Sequence, residues 1–89
     1  MEASTWLQRI RKLDIVDLCI ISLISEGEKA NWIGKVLCLT PAAICHRMRN
    51  HKKLCGAIYV KKNNVIYLNE TGLRLACQCQ KALKALDNN

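Results

Sequence analysis

The sequence is poor in aromatic side chains, in long apolar runs and in acidic residues. It contains no Phe, two Trp and two Tyr among its 89 residues, so its core must consist mainly of Leu, Ile and Val. The longest apolar stretch, residues 18–24, is interrupted by Ser22 and is far too short to span a bilayer. We therefore expect no membrane partner. The apolar fraction of 51% nevertheless argues against intrinsic disorder.

The start of the sequence also lacks the continuous apolar segment of a secretory signal peptide. This predicts a reducing, cytoplasmic compartment, in which the six cysteines stay reduced and serve as small core residues. Zinc binding is poorly supported, because the one close pair, Cys77 and Cys79, lacks the two-residue spacer of a zinc knuckle and has no second pair to complete a site. We expect no metal and no other cofactor.

Acidic residues are outnumbered two to one. Seven Asp and Glu face fourteen Lys and Arg, which gives a net charge of +7. Such an excess favours polyanions as partners, most obviously nucleic acid, although a soluble surface that happens to be basic is the simpler alternative. A chain of this length is expected to form one domain with one modest core.

Features typical of an enzyme are missing as well. The sequence shows no paired carboxylates with a pocket, no Gly-rich phosphate loop and no nucleophile with an obvious base. Cys45 followed by His46 does not qualify, because neighbours in a helix point about 100° apart. We therefore expect a protein that is not an enzyme.

Hydrophobic periodicity predicts helices through the first half of the chain. Residues 1–13 form an N-terminal extension in which Trp6 and Leu13 lie at helical spacing, so a short amphipathic helix is expected there. Asp14 is the expected N-cap of a central apolar helix that Gly27 ends.

A short second helix should follow, with Asn31 as its N-cap. Gly34 within it is expected to permit the close approach of another helix. The residues expected to face inward are Trp32, Ile33, Val36 and Leu37.

The third helix lies in "LTPAAICHRMRNHKK", residues 39–53. Thr40 is the expected N-cap, and Pro41 falls at the first helical position, where its missing N–H costs nothing. Ile44 and Met48 are four residues apart and so share a buried face. The side chains expected on a basic outer surface are Cys45, His46, Arg49, His51, Lys52 and Lys53.

The period then changes from helix to strand. Two β-rich runs, residues 57–60 and 65–68, are separated by an Asn-Asn turn that suits a tight hairpin, with Lys61 and Lys62 at its tip. Thr71 is the expected cap of a last helix that runs to about Leu86. Its apolar seam, expected to pair with a second copy of the chain, comprises Leu75, Cys79, Ala82, Leu83 and Leu86.

This order of elements is that of a winged helix-turn-helix. "LTPAAICHRMRN", residues 39–50, resembles the recognition helix of LysR-type transcriptional regulators, and "GAIYVKKNNVIYLNETG", residues 56–72, resembles their wing. The expected fold is mostly α with a small β-hairpin: a winged domain over residues 14–70, a C-terminal dimerisation helix over residues 71–86, and a short tail at 87–89.

The resemblance implies a homodimeric regulator that binds specific sequences of double-stranded DNA, in the cytoplasm of a bacterium. Family members carry a large effector-binding domain after the long helix, so this chain is expected to be an excised domain or a naturally short relative; its longer N-terminal extension favours the second. By the same resemblance, the helix that begins at Thr40 reads the major groove and the wing contacts the adjacent minor groove or its phosphates. The implied DNA-contacting residues are Thr40, Pro41, Ala42, Cys45, His46, Arg49, Lys61, Lys62 and Asn63.

One alternative stays open beside DNA binding. A winged helix can also act as an interaction protein that pairs with a larger regulator, as a heterodimer, and modulates it. The apolar first helix, Trp6 and the C-terminal seam would serve that role. Strong, salt-sensitive DNA binding by the chain alone would discriminate between the two.

Overall fold

A computed structural model describes residues 11–87 of the chain. The residues fold into four helices and one antiparallel hairpin, and the order of these elements confirms the expected fold class, mostly α with a small β-hairpin and a long C-terminal helix. The helix predicted around Trp6 and the end of the tail, residues 88–89, lie outside the described residues. The elements are α1 (Ile15–Ser25), α2 (Ala30–Leu37), α3 (Pro41–Cys55), β1 (Tyr59–Lys62), β2 (Val65–Leu68) and α4 (Glu70–Asp87).

Helix α1 is the centre of the core. As predicted, Asp14 is its N-cap: the Asp14 carboxylate accepts the backbone N–H of Asp17 at 2.9 Å, and the Asp17 carboxylate accepts that of Asp14 at 3.1 Å. Ile20 and Ile21 are fully buried, and the helix packs mainly against α4. Gly27 follows with a φ of 88°, which turns the chain away from the helix axis as expected.

Helix α2 differs from its prediction in two respects. It begins at Ala30 after Lys29, which makes no side-chain capping bond, so Asn31 lies inside the helix and is not its cap. Trp32 and Val36 are 46% and 50% exposed, because a helix of only two turns packs through the single face that carries buried Ile33.

The turn between α2 and α3 explains the glycine in α2. A Cβ atom at Gly34 would lie 2.9 Å from the carbonyl oxygen of Leu39, and the Leu39 N–H donates to the Gly34 carbonyl at 2.8 Å. Close approach was predicted, but the approaching group is the backbone of the turn and not another helix. Cys38 has a φ of 58° and reverses the chain at this point.

Helix α3 begins as the sequence predicts. The Thr40 hydroxyl accepts the N–H of Ala43 at 3.1 Å, and Pro41 occupies the first helical position. Ile44 and Met48 are buried against the rest of the domain.

The hairpin turns at Asn63 and Asn64, whose φ angles of 50° and 64° are those of a type I′ turn. Strand β2 has the predicted bounds, whereas β1 spans Tyr59–Lys62 and not residues 57–60. Lys61 and Lys62 therefore lie within the strand, each paired with a residue of β2, and not at the hairpin tip as predicted. The carbonyls of Ala57 and Ile58 are used elsewhere, since they accept the side-chain and backbone N–H groups of Asn69.

Asn69, and not Thr71, caps helix α4. Its side-chain oxygen accepts the N–H of Gly72 at 2.8 Å while its side-chain nitrogen donates to the hairpin base. The Asn69 side-chain amide thus joins the hairpin to α4, a link that Thr71 does not make.

The predicted dimer seam on α4 needs correction in its first half. Leu75 and Cys79 are fully buried and pack within the chain's own core, so they are not available to a second copy. Ala82 and Leu83 are half-buried and Leu86 is 52% exposed. Over residues 11–87, no helix has both the length and the apolar character needed to cross a membrane.

Candidate nucleic-acid interface

One face of α3 is exposed and carries most of the DNA-contacting residues that the sequence predicts. Ala42, His46 and Arg49 follow one another at steps of four and three, and Cys45 lies three residues after Ala42 and four before Arg49. All four are exposed, as are Thr40 and Pro41 at the helix start. The structure therefore brings these six residues together. We call this surface the reading face; its residues are Thr40, Pro41, Ala42, Cys45, His46 and Arg49.

The start of α3 can accept an anion. Backbone N–H groups of the first turn and the positive end of the helix dipole point outward there. The Thr40 oxygen accepts an internal bond from Ala43, and its hydroxyl proton stays free to donate to a phosphate. The small side chains of Pro41 and Ala42 keep the first turn narrow enough for close approach.

No residue of the reading face is acidic, and helix α3 contains no Asp or Glu. Beside the face, Asp14 and Asp17 line one opening together with Ala42 and His46, and both carboxylates bind Arg47. The Arg47 guanidinium donates to Asp14 at 2.9 Å and to Asp17 at 3.1 Å. Arg47 is thereby neutralised and does not belong to the reading face.

The Asp14 carboxylate is held in its charged form by these contacts. Partial burial alone would raise its pKa, but the backbone N–H of Asp17 and the guanidinium of Arg47 outweigh burial, and the pKa of Asp14 lies below its ordinary value. The folded state gains stability from this carboxylate above its ordinary pKa. The gain is lost as the pH falls through the lowered value.

The two lysines at the wing lie on opposite faces of the hairpin. Lys61 pairs with Ile66, and Lys62 pairs with Val65, so the alternation of strand side chains separates the two ammonium groups. Lys61 lines a cleft beside α3, whereas Lys62 lies on the outer face with Tyr67. The sequence predicted the same role for both lysines, but the structure brings only Lys61 toward α3. Asn63, the third residue predicted at the wing, is exposed at the turn.

The cleft between α3 and the hairpin has a volume of about 270 Å³. Arg49 and Lys52 border it from the helix and Lys61 borders it from the hairpin. Sequence reasoning placed Lys52 on the outer surface without assigning it to the site, although its position three residues after Arg49 puts both on one side of α3. The remaining lining residues are Met48, Ala57, Ile58, Tyr59, Val60 and Ile66.

His51 was predicted on the basic outer surface, but it is fully buried. Its Nε2 lies 2.8 Å from a carboxylate oxygen of Asp17, and its Nδ1 lies 2.7 Å from the Tyr59 hydroxyl. Burial foremost, with nearby Cys79 and Asp17, raises the pKa of Tyr59 well above its usual value, so the phenol keeps its proton. The assignment that satisfies every group has Tyr59 donating to Nδ1 and Nε2–H donating to Asp17.

A periodic signal for the burial of His51 was present in the sequence. It follows Ile44 and Met48 at intervals of seven and three, which places all three on one face of α3. The three partners belong to α1, α3 and β1. We call Asp17, His51 and Tyr59 the buried triad; it fixes α3 and the wing strand to the core.

The prediction that the six cysteines are core residues is wrong for three of them, because Cys38, Cys45 and Cys77 are exposed. Cys79 is buried, and burial foremost, with nearby Cys55 and Asp17, raises the pKa of its thiol to about 12, which leaves it unreactive. Cys77 is exposed, because two residues along a helix turn the side chain by about 200°. Within the part of the chain that the structure describes, no group of three or more His, Cys, Asp or Glu side chains is placed to hold a metal ion.

No protein-family model matches this chain, and no curated protein matches it either. Family membership therefore stays a prediction from the sequence, and the functional assignment depends on the reading face, the cleft and their charges.

Proposed function

We propose that this protein is a cytoplasmic transcriptional regulator that binds specific sequences of double-stranded DNA through a winged helix-turn-helix similar to that of LysR-type regulators. The observation that supports this most is the reading face: it is exposed, free of acidic residues and narrow at its start. Helix α3 enters the major groove, about 12 Å wide, by this face, and the wing lies along the adjacent DNA backbone.

Roles within the reading face follow from chemistry. Ala42 contacts a thymine methyl group, and His46 donates a hydrogen bond to a guanine or to a phosphate. Thr40, with the helix start, binds a phosphate, as does Arg49 one turn beyond His46. Pro41 and Cys45 lie beside these contacts and set the shape of the surface against the bases.

We expect binding to duplex DNA to weaken steeply as salt rises. Each phosphate that the protein neutralises contributes about −0.9 to the slope of log K against log salt concentration. Arg49→Ala should reduce the slope by about one such unit and weaken all sequences alike, whereas His46→Ala should change the preferred sequence. Fluorescence anisotropy over a salt series and a selection from random duplexes measure these effects. Salt-independent affinity, or no binding at low salt, would refute the proposal.

We expect the chain to form a homodimer through the last two turns of α4. Leu86 is 52% exposed and Leu83 half-buried, and the corrected seam consists of these residues and Ala82. Leu83→Glu combined with Leu86→Glu should give a folded monomer that no longer prefers a palindromic site over a half-site, because two copies of α3 bind two inverted half-sites.

Light scattering and circular dichroism test the dimer, with Lys84→Glu as the control on the opposite side of the same turn. A wild-type chain that is monomeric at tens of micromolar concentration and prefers no palindrome would contradict this model of the dimer.

The alternative of an interaction protein keeps one observation in its favour. Trp32 and Val36 lie four residues apart on α2 and are both about half exposed, which provides an apolar surface for a larger regulator in a heterodimer. The salt series decides between the two functions, since a chain that acts only through such a partner has no strong DNA affinity of its own.

A further inference from the structure

We propose that the cleft between α3 and the hairpin is a binding site for the sugar–phosphate backbone of a single strand of the DNA duplex, held by Arg49, Lys52 and Lys61. The inference rests on the proposed DNA-binding function and adds to it a defined path for one strand. It also assigns a contact to Lys52, which neither the sequence pattern nor the resemblance singled out.

The charge of the cleft supports an anionic occupant. Three cations border one opening of about 270 Å³, two from the helix and one from the hairpin, and none of the residues that line it is acidic. Arg49, Lys52 and Lys61 are all exposed, and each is free of the ion pairs found among residues 11–87. Arg47, in contrast, is occupied by two aspartates and adds nothing here.

The floor of the cleft supports a sugar–phosphate chain over a free inorganic anion. Met48, Ile58 and Ile66 line it with apolar atoms. A phosphate bound at the cationic border places its flanking deoxyribose carbons over that floor, so both parts of the backbone meet matching surface. A small inorganic anion would use the border and leave the floor in water.

Continuity with the reading face indicates which strand enters. Arg49 belongs both to the reading face and to the cleft. A strand whose bases contact Ala42 and His46 in the major groove therefore passes Arg49 and continues between α3 and Lys61. The buried hydrogen bond from Tyr59 to His51, 2.7 Å long, holds the two walls at a fixed spacing.

The chain supplies two matched controls. Lys53 neighbours Lys52 on the same helix but does not line the cleft, and Lys62 neighbours Lys61 on the opposite face of the hairpin. All four side chains are exposed, so their replacement by alanine leaves the core untouched; circular dichroism verifies the fold of each variant. The variants within each pair differ in the direction of one ammonium group and not in net charge.

The test is the salt slope of binding of the full chain to one duplex. Lys52→Ala and Lys61→Ala are each expected to reduce the slope by about 0.9, and Lys53→Ala and Lys62→Ala by less than half of that. Equal changes within each pair would overturn the cleft as a binding site while leaving DNA binding intact. A wild-type chain with no salt-sensitive DNA binding would instead refute the proposed function, and the cleft proposal with it.

A second measurement locates the strand. Duplexes with one uncharged methylphosphonate at successive positions are titrated against wild type, Lys52→Ala and Lys61→Ala. Where a lysine contacts a phosphate, removing the lysine and the phosphate charge together should weaken binding no more than removing either one alone. We expect the phosphates coupled to Lys52 and Lys61 to lie close together on one strand. Coupling to opposite strands, or to no phosphate, would overturn the proposal.

Discussion

Asp17→Ala is expected to lower the free energy of unfolding by about 2–3 kcal/mol, because it removes the charged acceptor of the buried His51 Nε2–H and leaves that donor unsatisfied. The Asp17 carboxylate is buried and accepts bonds from His51 at 2.8 Å and from Arg47 at 3.1 Å. A domain of this size is typically stable by about 5–15 kcal/mol. The loss is therefore a large share of the total, and urea denaturation followed by circular dichroism measures it.

Asp14→Ala is the matched control for this prediction. Asp14 also bonds to Arg47, but its side chain is 59% exposed and acts mainly as an N-cap, so its loss should cost about 1 kcal/mol. In a double-mutant cycle, Asp17→Ala and His51→Ala together should cost clearly less than the sum of the two. If Asp17→Ala cost no more than Asp14→Ala, the triad would not have the structural role assigned to it.

Gly72→Ala is expected to destabilise the fold by about 2–3 kcal/mol, although helix propensity alone would favour alanine by about 1 kcal/mol. A Cβ atom at Gly72 would lie 2.5 Å from the carbonyl oxygen of Ile58 and 2.9 Å from Leu68 Cδ2. The Ile58 oxygen is backbone and accepts the Asn69 N–H at 2.9 Å, so it cannot retreat without breaking the junction between hairpin and helix.

Thr71→Ala provides the comparison for Gly72→Ala, since Thr71 is exposed in the same first turn of α4. It should change stability by no more than about 0.5 kcal/mol. Both variants are measured by urea denaturation at equal protein concentration. A Gly72→Ala variant more stable than wild type would mean that the hairpin and α4 do not meet as closely as described.

The features predicted correctly are those whose cause is local. The capping bonds of Asp14 and Thr40 reach only three residues along the chain, and the turn at Asn63 needs only a residue that tolerates positive φ. Such features follow from residue type and spacing alone, and for the same reason β2 has the expected bounds.

The features predicted wrongly depend on partners distant in sequence. His51 was predicted on the outer surface, yet its position on the Ile44 and Met48 face was a signal for burial. Its acceptor, Asp17, is 34 residues away, and nothing local reveals it. Asn69 outcompetes Thr71 as a cap because it also bonds to Ala57, twelve residues earlier.

The candidate site was predictable only in the part that depends on local spacing along the chain. Helical spacing alone brings Ala42, His46 and Arg49 together, so the reading face could be read from the sequence. The cleft could not be predicted from the sequence, because it forms only where α3 packs beside the hairpin. Which of two adjacent lysines enters it depends on the strand register, with Lys61 opposite Ile66.

The bond between Tyr59 and His51 also determines how the wing opens. A hairpin with four residues in each strand has little stability of its own, and on its own would fray on a fast timescale. Because Tyr59 donates into the buried ring of His51, separating the wing from the domain breaks a bond inside the core. The wing and the helix-turn-helix then form one cooperative unit, in which hairpin amides exchange with solvent mainly when the whole domain unfolds.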